Sequence, residues 1–450
     1  MKKDFLLIAT AATMLTACVN LDTLNGVDDY EAPGAIGFST LTNNQTKAEN
    51  SSATEVDPLK NYNTTFKVWG SKFFPDDYKS PADADNLPDE ERVFGIDNTG
   101  EIVSYVSSAW TYSPLRFWDK SATSYSFYAA APSAPSGTNW VWNNATKKLS
   151  IADFAITGYN SVTGDPATEV DVDKVLTENL DTEDLMISTD LTGYNTYTTA
   201  KVNLHFNHIL SRLNIGVRKA AILDAFDVKL NSIKVFNMKS NGTFDESLES
   251  GEDLANGTIA RWATAPTTPS TFTEGVGYTP ASALEITSTA SDESSYYQYV
   301  YEGLVIPQAV AYNPTVEVAS TVENGFKLNG STATTSSNPY IVIDYEIWTK
   351  AVAAVNFTQD EIENAQEGDP AYGKTTDDVK TPAVAAAKMD GYKYFYNLAD
   401  AFNGAETTAV NFYEGWQNTL KITLSPVAIE FDADVYEWVP KTQTSVDITE

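Results

Sequence analysis

The sequence predicts an all-β protein built from two β-sandwich domains, and three observations predict it. Beyond residue 60 apolar residues recur with a period of two, the pattern of half-buried strands. Long stretches rich in Ser, Thr, Asn, Gly and Pro, at 130–146, 238–290 and 328–339, separate them as surface loops would. Helical patterning is sparse, confined to short segments at 218–225 and 381–398, and the Ala-rich 384–389 within the second reads equally as loop.

At the start of the chain, Lys2 and Lys3 precede a short apolar core at 5–14 and then small residues, which reads as a signal peptide over 1–17. That core is too short to span a bilayer. The run LTAC at 15–18 is a lipobox, so Cys18 is expected to become the lipidated N-terminus. Cys18 is the only cysteine in 450 residues, so no internal disulfide can form and stability must come from buried apolar surface. Residues 19–34 are a polar, acidic tether. A brief strand follows at 35–41 with Ile36 and Phe38 on one face, and it runs into a polar stretch holding Lys47 and Ala48.

Further on, Phe66 and Val68 alternate with Lys67. Val202, Leu204 and Phe206 alternate with polar neighbours; so do Leu213, Ile215 and Val217, but in shifted parity. The change implies a turn or bulge at 209–211. Ile341, Ile343, Tyr345 and Ile347 mark another strand. Leu420, Ile422 and Leu424 lead through Ser425-Pro426 into a second alternating run to Val435, which reads as two strands joined tightly. Length points to two domains after the N-terminal segments (1–17, 18–47): 48–200 and 201–450, divided after the linker-like run 192–200.

The formal charge of −32, from 29 basic and 61 acidic residues, repels nucleic acid. With 42% hydrophobic and 12% aromatic residues, the chain is a set of folded domains with an acidic surface, not a disordered acidic tail. Enzymatic chemistry finds little to draw on. The two histidines, His205 and His208, sit three apart on one strand and so on opposite faces, with no third ligand for a metal. The acidic clusters at 165–184 and 360–369 lack the spacing of a helix-loop-helix calcium site, and no Gly-rich phosphate loop is present. No catalytic residue, metal or cofactor is expected. Trp110, Tyr112, Phe117, Trp118, Tyr125, Phe127 and Tyr128 crowd together and are expected to fill a core.

Four segments together resemble the fimbrillin family of lipoprotein-derived pilins: LTAC at 15–18 with its following strand, SSAWTYSPLRFWD at 107–119, LHFNHILSRLNIGV at 204–217 with LVIPQ at 304–308, and TLKITLSPVAIEFDADVYEW at 419–438. The resemblance implies two transthyretin-like sandwich domains and a precursor carried to the outer membrane as a lipoprotein. It also implies a protease cut after a basic residue, here Lys47 before Ala48, that removes the strand bearing Ile36 and Phe38. A neighbouring pilus subunit then fills the emptied furrow with its own strand; Val446 and Ile448 in the tail are the donor candidates if the subunit belongs to the stalk, whereas a tip subunit needs no donor and its polar tail would be a frayed terminus. The family more often has Arg at the cut. The expected partners are other pilus subunits, the processing protease, the outer membrane through the lipid, and a host or glycan ligand. The competing reading is a monomeric surface glycan-binding lipoprotein that keeps its first strand and exposes its aromatics in a flat row.

Overall fold

The computed structural model describes residues 34–42, 64–74, 90–119, 121–156, 183–192, 201–248, 252–253, 258–259, 261–263, 276–279, 282–291, 297–310, 321–323, 326–328, 339–403, 410–426 and 429–437. The fold is all-β. As far as Asp245 the strands are β1 (Phe38–Thr42), β2 (Thr65–Phe73), β3 (Glu90–Phe94), β4 (Glu101–Val106), β5 (Ala109–Thr111), β6 (Ser124–Ala131), β7 (Trp140–Asn143), β8 (Lys148–Ala155), β9 (Met186–Thr192), β10 (Val202–His208), β11 (Ser211–Lys219), β12 (Phe226–Phe236) and β13 (Asn241–Asp245).

Eight of these strands form one sheet in the order β1-β10-β9-β6-β2-β4-β5, with β3 beside β2. Its centre is buried on both faces. Phe66 and Val68 of β2 and Phe127 and Ala129 of β6 face one core, which they share with Ile36, Phe38, Phe94, Trp110 and Trp118. Trp69, Tyr128 and Ala130 face the opposite way and join Trp140, Trp142, Ile151 and Phe154 of β7 and β8. Trp69 and Trp142 stack there with centroids 5.7 Å apart and planes 12° from parallel. Burial on both faces explains why β6 reads as an almost continuous apolar run. The turn from β3 to β4 closes over Trp69, whose indole N–H donates to the Asn98 carbonyl at 3.1 Å. Gly95 holds a φ of +67° in that turn, and a Cβ there would lie 2.5 Å from the Trp69 ring.

The division expected at residue 200 is not a boundary between sheets. β10 follows it yet pairs with β1 and β9, and the chain leaves this sheet only at Ile209 and Leu210 before β11. The parity change at 209–211 is therefore a passage from one sheet to another. A second ladder also crosses the division, since β8 pairs with β13. β11 lies parallel to Trp416–Leu424 and antiparallel to Gln298–Val305, while Glu430–Glu437 closes the sheet beyond Trp416–Leu424. β12 pairs with Tyr340–Thr349, which pairs in turn with Lys388–Asn397. Leu213, Ile215, Val217, Ile343, Tyr345, Leu420 and Ile422 meet in the larger core.

Three local expectations are corrected. The segment 381–398 ends in the strand Lys388–Asn397 and not in a helix, because Tyr392, Tyr394 and Tyr396 alternate and stack in a ladder opposite Tyr345. The stretches 130–146 and 238–290 hold β7, β13 and the strands Trp262–Ala263, Val276–Tyr278 and Leu284–Ile286. The segment 218–225 carries only the 3-10 turn Ala221–Leu223, and Gln359–Glu363, closed by a Thr358–Glu361 capping box, is one of the few helices.

Candidate functional site

The first strand lies in a cradle made entirely by later parts of the chain. From residues 34 to 36 it runs antiparallel to 116–118: the Ile36 N–H donates to the Arg116 carbonyl at 2.9 Å and the Trp118 N–H donates to the Gly34 carbonyl at 3.2 Å. At Gly37 it changes partner, with the Val202 N–H donating to the Gly37 carbonyl at 2.8 Å. From Phe38 to Thr42 it is parallel to β10, Phe38 opposite Val202 and Thr42 opposite Phe206. β1 is the edge of the eight-stranded sheet, so nothing but this segment satisfies that side of β10 among the described residues.

Alternation aims Ile36 and Phe38 inward, as the sequence predicts, and each is only 1% exposed. The Phe38 ring is surrounded by Phe94 at 5.4 Å, Tyr112 at 5.8 Å, Phe66 at 6.0 Å and Phe127 at 6.1 Å, mostly edge-on. Such pairs add about 0.5–1.5 kcal/mol each beyond area burial. The Tyr112 hydroxyl donates to the Ile36 carbonyl at 2.7 Å. Burial pushes the Tyr112 hydroxyl above its ordinary pKa, partly offset by its bond with Arg116, so it stays a protonated donor at neutral pH. The Ser39 hydroxyl donates to the Asn203 side chain.

The 116–119 wall is itself held in place. Lys72 reaches the Asp119 carboxylate at 2.7 Å, the Asp119 N–H donates to the Tyr125 hydroxyl at 2.5 Å, and Trp118 meets Tyr125 edge-on at 4.8 Å. A furrow with braced walls, two backbone edges and an aromatic pocket is suited to receiving an extended apolar segment.

The aromatic block is mainly core, as expected: Trp110, Trp118, Tyr125, Phe127 and Tyr128 are buried, whereas Phe117 points outward at 54% exposure. The role of Tyr112 as a donor to the first strand is not legible from the block. Phe94 carries no sequence signal at all, because its place in the pocket depends on strands far away in the chain. His205 is exposed and His208 is buried, on opposite faces as predicted. His208 Nδ1 lies 2.6 Å from the Asp184 carboxylate. No group of three His, Cys, Asp or Glu side chains that could hold a metal occurs among the described residues. Nor is any helix among them long and apolar enough to cross a membrane. Cys18, Lys47, Ala48, Val446 and Ile448 lie outside the described residues.

Comparison with solved structures finds a fimbrial protein from Bacteroides vulgatus at 14% identity and a TM-score of 0.44, covering 90% of this chain and 99% of that one. It also finds the tip fimbrial protein Mfa3 from Porphyromonas gingivalis with a C-terminal truncation, at 11% identity and a TM-score of 0.30, covering 83% and 94%. No curated protein matches the chain. The sequence pattern of a fimbrillin-like family matches residues 83–349, which takes in β3 to Tyr340–Thr349 and most of the cradle. The chain belongs to this fimbrillin-like family of structural fimbrial proteins of the cell surface, which are not enzymes.

Proposed function

We propose that the protein is a pilus subunit exported as a lipoprotein through Cys18 and assembled by strand exchange at the cradle of the first strand. The observation that carries this reading is that Phe38, on an edge strand, and Ile36, just before it, are deeply buried in a segment lying N-terminal to Lys47. A cut between Lys47 and Ala48 would leave that strand held by non-covalent contacts alone. Its departure would open the Phe38 pocket and the unpaired edge of β10, and a strand from another subunit would satisfy both. Val446 and Ile448 are spaced to present two apolar side chains on one face, as Ile36 and Phe38 do. We place the assembled subunit at the outer membrane and surface fimbrium, in two sandwich units.

The test is the intact mass and oligomeric state of protein recovered from cells and after treatment with a Lys/Arg-specific protease. A lipid on Cys18, a cut after Lys47 and polymers larger than a dimer from trimmed protein are expected, while Lys47→Ala forms no such polymer under the same protease. Polymers larger than a dimer forming equally from Lys47→Ala would overturn strand removal. The glycan-binding reading needs a flat exposed aromatic row, and the burial of Trp110, Trp118, Tyr125 and Phe127 does not favour it.

A further inference from the structure

Tyr340–Thr349 and Lys388–Asn397 are neighbours in one sheet, yet the chain between them does not turn directly from one to the other. It leaves the sheet as an arm, 350–387, in which Phe357 and Ala371 are the only buried side chains. The arm is a two-stranded ribbon. Val352 and Val384 exchange backbone bonds at 2.8 and 2.9 Å, Val355 faces Thr381, and the Phe357 N–H donates to the Asp378 carbonyl at 3.2 Å. Its tip is the helix Gln359–Glu363 and the turns after it.

Two features of this arm are unlike an ordinary solvated loop. In a chain that carries 61 acidic residues, 351–357 and 381–387 contain no charge, and Val352, Val355, Val379 and Val384 stand 49, 50, 52 and 56% exposed. Among the described residues the ribbon also has two open edges, and only one is protected. Pro382 interrupts the edge of the returning strand, whereas 351–357 has neither a proline nor a charge to blunt it.

We propose that the arm is a self-association element, in which 351–356 pairs antiparallel, edge to edge, with the same segment of a second copy of this chain. The charge layout selects both partner and direction. The tip, 358–380, holds seven carboxylates against two lysines, while the foot carries Lys350, which donates to the Asp224 carbonyl at 2.8 Å, and Lys388, which is paired with Glu346 at 2.6 Å. Parallel pairing would set two acidic tips side by side. Antiparallel pairing separates them by the length of the shaft, about 20 Å at strand rise, and lays each tip beside Lys350 of the other copy's foot. The pairing is two-fold, so both contacts form at once. This surface is remote in kind from the first-strand cradle: it needs no cleavage and no donor tail.

Sedimentation velocity of the uncut chain carrying Cys18→Ser and Lys47→Ala, over a concentration series, tests this without lipid or strand removal. A concentration-dependent dimer is expected, and replacing 351–386 with Asn-Gly should abolish it while leaving the thermal midpoint of the protein unchanged. Lys350→Glu, and separately Glu363→Lys with Glu367→Lys, should each weaken dimerisation at least tenfold. Mixing the two variants should restore it, because each altered foot then meets an oppositely altered tip. A wild-type arm that stays monomeric throughout, a dimer that survives excision of the arm, or a mixture no tighter than its components would overturn the proposal.

Discussion

The Tyr112 hydroxyl donates to the Ile36 carbonyl at 2.7 Å, which ties the aromatic block to the first strand. Tyr112 also packs its ring 5.8 Å from Phe38, so one side chain contributes a polar and an apolar contact to the same segment. Tyr112→Phe keeps the ring and removes the donor, leaving a part-buried carbonyl unpaired. A net loss of about 1 kcal/mol is expected, read as roughly fivefold faster hydrogen exchange at the β1 amides with little change elsewhere. Unchanged β1 exchange would show that the bond does not hold the strand.

Phe38→Ala in the uncut chain empties a pocket lined by Phe66, Phe94, Tyr112 and Phe127. A cost of about 3–5 kcal/mol is expected in urea denaturation followed by tryptophan fluorescence. Phe117→Ala, on the exposed side of the same cradle, should stay within about 0.5 kcal/mol of wild type. Equal effects from the two changes would mean that the pocket does not discriminate.

Gly95→Ala and Gly137→Ala both place a Cβ at positive φ, +67° and +75°. Only the first meets an obstacle, the buried Trp69 ring at 2.5 Å, while nothing lies within 4 Å of the second. Gly137→Ala should cost about 1 kcal/mol of backbone strain, and Gly95→Ala at least about twice that, since Trp69 must shift against Trp142. Thermal midpoints that fall equally would place the whole cost in the backbone.

Arg212 and Glu302 form an ion pair buried across adjacent strands, on the face of β11 opposite Leu213 and Ile215. Arg212→Met alone strands the Glu302 carboxylate and should cost about 3–5 kcal/mol. Adding Glu302→Leu should recover most of that loss, because neither charge then remains to be desolvated. A double variant no more stable than the single one would locate the cost in packing.

The period of two, legible in the residues themselves, determined that this chain is all-β. It placed Ile36, Phe38, Phe66, Val202 and Leu213 on inward faces, because alternation is a property of the extended backbone that needs no partner. The ordered motifs likewise carried the family. Which strands become neighbours was decided only in three dimensions. β8 pairs with β13 across the division expected at residue 200, and β10 joins β1, because pairing is settled by long-range burial that no local pattern encodes. Where a strand is covered on both faces, as at Arg212 and Asn214 of β11 or along β6, alternation no longer marks one side as solvent. Phe94 and Tyr112 became the walls of the first strand's pocket through contacts far apart in sequence. The Ala-rich arm, read locally as a helix or a loop, became a ribbon because the paired strands on either side of it fix where it begins and ends.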